Sequence, residues 1–135
     1  MALPNGAGGY QVGSGNRNET ILSYASAPQT ATTTATLTAA QIVNGMLYAN
    51  PGTSAATYTL PTGALVDAAV PSASVGSTFD LSIVNVGTTS GTVTLSMGSG
   101  LSDGGNATVA LAVTSSGLFR FRKTGDGAWS VYRLG

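Results

Sequence analysis

The chain has 135 residues, the size of one domain, and only 7% of them are charged: five Lys or Arg balance five Asp or Glu. It contains no cysteine and no histidine, which removes the usual zinc ligands, the commonest general base and the most reactive nucleophile together. An ordinary domain is about a quarter charged, so this surface offers little repulsion between copies and suits a protein that lives in an assembly.

Residues 1–20 read as an extended N-terminal arm. Gly6, Gly8, Gly9, Gly13 and Gly15, with Asn5, Asn16 and Asn18, are too many conformationally free residues for a regular element. Leu3, Tyr10 and Val12 are spaced among them, and Arg17 and Glu19 close the segment. Apolar anchors in such a terminus fit a segment that a neighbour orders; the plain alternative is a frayed tail.

From residue 21 to residue 135 the pattern is that of one β domain. Apolar residues alternate with small or hydroxyl-bearing ones, the period-2 signature of half-buried strands. Such runs occur at Ala31–Leu37, Thr57–Leu60, Phe79–Ile83, Val93–Met97, Val109–Val113, Phe119–Phe121 and Trp129–Val131. Threonine on the outward face supplies β-propensity without charge. Thr38, with Gln41 three places on and Gly45 at the end, predicts one or two helical turns. A second short helix is expected between Pro61 and Pro71. Gly87–Gly91 and Thr124–Gly127 have hairpin composition, and Asp126-Gly127 is the stronger signal of the two. No repeat of fixed period is visible. The expected fold is all-β: a β-sandwich or jelly-roll of short antiparallel strands with one or two short helical connectors.

Candidates for chemistry are few. Asp67, Asp80 and Asp103 are far apart in sequence, Asp80 on an outward strand face and Asp103 in an Asp103-Gly104-Gly105-Asn106 turn. Asp103 and Asn106 are too few oxygens for a calcium loop. The glycine-rich arm lacks the Gly-Lys-Ser/Thr of a phosphate loop. Neither Gly13-Ser14-Gly15 nor Gly98-Ser99-Gly100 has a histidine to activate its serine. Asn18-Glu19-Thr20 and Asn106-Ala107-Thr108 match glycosylation sequons by chance. No catalytic residue, metal site or cofactor is expected.

One charge feature stands out. Arg120, Arg122, Lys123 and Arg133 all fall in the last sixteen residues, while residues 20–117 contain three aspartates and no base. On a strand, Arg120 and Arg122 project opposite Phe119 and Phe121. The functional reading is a basic patch that docks on an acidic protein surface; the plain reading is a solvated face that discourages edge-to-edge aggregation. Nucleic-acid binding would need more bases and exposed aromatics. No apolar run approaches the roughly 20 residues of a spanning helix, and the N-terminus lacks the basic and apolar regions of a secretory signal. A soluble product made in the cytoplasm, with no membrane partner, is expected.

Four segments are similar to parts of tailed-bacteriophage capsid decoration (cement) proteins: Ala35–Leu47, Tyr58–Thr62, Val75–Leu81 and Trp129–Leu134. They are distributed over most of residues 35–135, and the module also resembles parts of phage fibre proteins. The resemblance implies a β-rich virion protein, a homotrimer, that sits on the outer capsid surface, binds the major capsid protein and braces neighbouring capsomers. It implies no catalytic residues. Leu3, Tyr10, Val12, Arg17, Arg120, Arg122, Lys123 and Arg133 are the candidate capsid or subunit interface. A fibre or knob module that binds host glycan or receptor is the alternative, with Tyr10, Tyr24, Tyr48 or Tyr132 as the aromatic platform.

Overall fold

Two backbone devices set the path of the chain before any strand pairs. The Thr38 hydroxyl accepts the Gln41 N–H while the Gln41 side chain accepts the Thr38 N–H, a full capping box. Thr62 caps a second helix by accepting the Leu65 N–H. In this computed structural model, which describes residues 22–135, the helices are α1 (Ala39–Val43) and α2 (Gly63–Ala69), as the sequence predicts.

The strands are β1 (Gln29–Ala31), β2 (Ala35–Thr36), β3 (Met46–Ala49), β4 (Ala56–Thr59), β5 (Thr78–Asn85), β6 (Val93–Ser96), β7 (Leu101–Gly105), β8 (Ser116–Gly125) and β9 (Ala128–Arg133). They form a six-stranded sheet in the order β1-β3-β5-β8-β9-β7 and a three-stranded sheet in the order β2-β4-β6. Between Gln29 and Ser96 the chain visits the larger sheet, then the smaller, three times over, with α1 and α2 on the first two returns.

That winding corrects the expectation of antiparallel strands. Neighbours in the smaller sheet are all parallel, as are β1–β3, β3–β5 and β7–β9. Only β5–β8 and β8–β9 pair antiparallel. A parallel pair needs a crossover connection, and here the other sheet and the helices supply it. Alternation reads the same in both pairings, which is why composition missed the difference.

Four local expectations change with it. The run Ala31–Leu37 is two strands, because the chain crosses between sheets at Thr32–Thr34. Tyr58 donates its hydroxyl to Thr32 O (2.6 Å), and Thr34 Oγ1 accepts the Thr57 N–H (3.0 Å). Gly87–Gly91 is no hairpin, since it joins β5 of one sheet to β6 of the other. Buried Asn85 folds this loop back, accepting from Gly87 N and donating to the carbonyls of Gly91, Leu111 and Ala112. Val109–Val113 contributes only an isolated bridge from Leu111 to Val93. The 101–105 stretch, read as a turn at Asp103, is instead edge strand β7. The Asp126-Gly127 hairpin between β8 and β9 forms as expected, with Gly127 at φ +64°.

Inward-facing residues of both sheets share one core. Leu47, Ala49, Leu81, Ile83, Phe119, Phe121, Trp129 and Val131 come from the larger sheet, and Ala56, Tyr58, Val93 and Leu95 from the smaller. Ile42 of α1 and Val66 of α2 join it, with Leu37, Leu60, Leu101, Ala107 and Leu111. Each large side chain so buried contributes about 1.5–3 kcal/mol. The β1 edge is guarded from the α1 side: Gln41 Nε2 donates to Thr30 O (2.9 Å), and Asn44 Nδ2 to Ala27 O (3.0 Å). An edge strand whose outward carbonyl is occupied is a poor template for a foreign strand.

Candidate interaction surface

The four basic residues near the C-terminus do not make one patch. Arg120 lies opposite Asp80 across β5 and β8 and forms a two-pronged pair with it, Nε–Oδ1 2.8 Å and NH2–Oδ2 3.0 Å. This contact holds the Asp80 carboxyl below the usual carboxylate range and raises the Arg120 guanidinium further. Lys123 faces the other way. An odd-numbered position on β8 shares the inward side with Phe119 and Phe121, so Lys123 is buried, with Nζ 3.0 Å from Asp67 Oδ1 and 6.0 Å from the Trp129 ring centre.

Arg133 shares the alternation of Trp129 and Val131 on β9. It donates to Gly135 O (3.1 Å) and Val109 O (3.3 Å), away from Arg120 and Arg122. Among the described residues Arg122 is left exposed on the outer face with no ion pair, and Asp126 at the hairpin tip likewise has none. Leu3, Tyr10, Val12 and Arg17 lie outside the described residues.

The aspartates are used in folding. Asp67 accepts from Gly127 N (2.6 Å), Trp129 Nε1 (2.9 Å) and Lys123, tying α2 to the β8–β9 hairpin. The Gly127 bond, then Lys123, pulls its carboxyl below the ordinary range. The same hairpin presses on the start of α2, where a Cβ at Gly63 would collide with Gly127 O. Asp103 accepts the N–H groups of Gly105, Ala107 and Thr108 and the Thr108 hydroxyl, with the Ala107 bond the largest cause of its lowered pKa. Its oxygens close the loop after β7. No cluster of three or more His, Cys, Asp or Glu suited to a metal occurs among the described residues.

What the fold does assemble is the outer face of the larger sheet, which no described element covers. The smaller sheet and the helices pack on the inner side, so alternate residues of β3, β5, β8 and β9 face outward. The register places Met46 beside Ser82, Ser82 beside Leu118, and Tyr48 beside Val84. Leu134 joins this row, its N–H donating to Leu118 O (2.7 Å). Met46, Tyr48 and Leu134 are 42–50% exposed, and Val84 and Leu118 are half-buried. Toward the hairpin the face turns polar: Asp80, Arg120 and Tyr132 form the next row, then Thr78, Arg122 and Ser130. One half is an apolar strip and the other a near-neutral polar strip with one uncompensated cation.

Of these apolar residues only Tyr48 was legible as a contact candidate from sequence. The others are apolar residues at or just beyond outward strand positions that are otherwise mostly polar, such as Thr78, Asp80, Ser82, Arg120 and Ser130, a signal visible once both faces are known. Tyr24 is fully exposed, while Tyr48 and Tyr132 share the outer face with two strands between them. No helix among the described residues is long and apolar enough to cross a membrane.

Comparison with known proteins gives no relative: no family model, no curated protein and no solved structure matches the chain.

Proposed function

We propose that this chain is a non-enzymatic structural protein of a tailed-phage virion, binding the outer capsid surface and bracing neighbouring capsomers. The observation that carries the reading is the outer face of the six-stranded sheet, covered by no described element, where an apolar strip of Met46, Tyr48, Val84, Leu118 and Leu134 adjoins a nearly neutral polar strip. Met, Tyr and Arg around a partly apolar centre are the residue types that dominate protein–protein contacts. The segments similar to decoration proteins point to the capsid as the partner. In fold terms we read the two sheets as the layers of a sandwich.

Many copies, each binding the assembled shell and not its dissociated subunits, shift the equilibrium toward the shell by mass action. The homotrimer that the resemblance implies multiplies the effect through avidity. Residues 1–20 are a second contact in this reading, through Leu3, Tyr10, Val12 and Arg17. Removing residues 1–15 is expected to leave the domain folded and weaken shell binding.

The test is the position and copy number of the chain in purified virions. A decoration role expects hundreds of copies on the outer shell; absence from particles overturns it. A few copies at a fibre or tail tip would favour the alternative, a glycan- or receptor-binding module, for which the exposed Tyr24 and Tyr48 are the supporting observation.

A further inference from the structure

The hairpin end of the molecule combines features that the outer apolar strip does not use. The strip lies toward the start of β8 and the end of β9, so the hairpin is at the opposite end of both strands. There the exposed aliphatic side chains are Leu65 of α2 and Val75 of the loop before β5, 55% and 64% exposed. Both are held against the hairpin by their neighbours. Gly63 meets Gly127 O, and Gly76 donates its N–H to Lys123 O (2.9 Å).

Beside them opens a cleft of about 260 Å³ lined by Val70, Ala73, Phe79 and Trp129, with Ser72 and Ser77 on its walls. Its aromatic side is rigid: Phe79 stacks on Phe121 at 4.8 Å and meets Trp129 edge-on at 5.4 Å. Arg122 and Asp126, exposed charges without an ion pair among the described residues, flank the same end.

From this arrangement we propose that the hairpin end is the surface through which copies of this chain join one another. A second copy is the occupant because the end is complementary to itself. It carries an aliphatic projection and an apolar cleft, and an unmatched cation and an unmatched anion. A copy seated here presents its Val75 or Leu65 to the cleft of the next, and its Asp126 carboxylate to the next Arg122. A foreign partner would have to supply both halves of each match. Repetition of one such contact around an axis closes a ring, and a twofold version closes a pair; each leaves the outer apolar strip free for the shell. Desolvation of the aliphatic groups supplies affinity, and the charge pair fixes orientation and rejects misaligned copies.

The inference deepens the reading of the chain as an assembly protein and rests on it, yet its test needs no virion. The full chain is examined by light scattering coupled to size exclusion, over a concentration series. The expected result is a defined oligomer of wild-type chain. Arg122→Asp and Asp126→Arg, each with an unchanged melting profile, are expected to shift it to monomer mass. The double exchange Arg122→Asp/Asp126→Arg is expected to restore it, and Val75→Asp to abolish it without rescue. A monomeric wild-type chain, or single charge variants that assemble as wild type does, overturns the proposal. An oligomer that behaves as expected but is missing from particles removes the virion reading and leaves this surface standing.

Discussion

Lys123 Nζ lies 3.0 Å from Asp67 Oδ1 on the inner side of the larger sheet. A cation that the sequence assigned to a docking patch is therefore part of the joint between α2 and the β8–β9 hairpin. Asp67 also accepts Gly127 N and Trp129 Nε1, so one carboxylate satisfies a turn, an indole and an ammonium.

Loss of that carboxylate charge leaves a buried ammonium without its counter-ion, which costs more than loss of an exposed pair. Asp67→Asn is expected to lower the melting temperature more than Asp80→Asn, whose pair with Arg120 is 39–47% exposed on both sides. Adding Lys123→Met to Asp67→Asn is expected to recover part of the loss. Thermal melts of the three variants decide it, and an Asp80→Asn melt as low as that of Asp67→Asn contradicts it.

Asn85 is 1% exposed and makes four hydrogen bonds that fold the β5–β6 loop onto the segment at Leu111. Asn85→Ala leaves the Gly91 carbonyl and the Gly87 N–H without a partner and takes one of two donors from the carbonyls of Leu111 and Ala112, an expected cost of about 2–4 kcal/mol. Asn85→Asp is expected to be worse, because it sets a carboxylate against three carbonyl oxygens. Urea unfolding measures both; a midpoint for Asn85→Ala equal to wild type refutes the role.

Acid stability follows from Asp67, Asp80 and Asp103, whose pKa values all lie below the usual range. Because each is lower in the folded state than the roughly 3.9 of an unfolded aspartate, its contribution is complete above that value. The contribution is lost as pH falls through the folded pKa. With no histidine in the chain, melting temperature is expected to be flat from about pH 5 to 8 and to fall below about pH 4. Asp103→Asn, by lowering stability at neutral pH more than in acid, is expected to flatten that fall. A melting temperature that drops between pH 8 and 6 speaks against this assignment.

On the outer face, Tyr48→Asp and Leu118→Asp place charge in the apolar strip without opening the core. Stability is expected to change within about 0.5 kcal/mol for the exposed Tyr48 position. Copies bound per particle are expected to fall at least tenfold for either variant. Protein stoichiometry of purified particles, read beside the melts, checks both halves. Undiminished occupancy with both variants removes the strip from the contact.

Much of the local structure was legible. Thr38 and Gln41 announced α1, and the bounding Pro61 and Pro71 announced α2. Asp126-Gly127 announced the last hairpin, and Phe79–Ile83 and Val93–Met97 announced β5 and β6. Each of these signals is complete within a few residues. The edge strand β7 was hidden because Asp103, Gly104 and Gly105 have turn chemistry, and their pairing with β9 depends on residues more than twenty positions away. Leu111 has a strand-like neighbourhood but forms a single isolated bridge, to Val93, instead of a strand.

By itself, the sequence determined that the described chain would be β-rich, where its helices start, and that thiol and imidazole chemistry are absent. Those properties are set by composition and by short-range backbone geometry. Only the tertiary structure decided that most strands run parallel, that Arg120 is neutralised by Asp80 forty residues earlier, and that Lys123 points inward to Asp67. Period-2 alternation states which side of a strand is apolar and says nothing of its neighbour. Neighbours, and the charges they bring together, are fixed by the route the connections take between two sheets around one core.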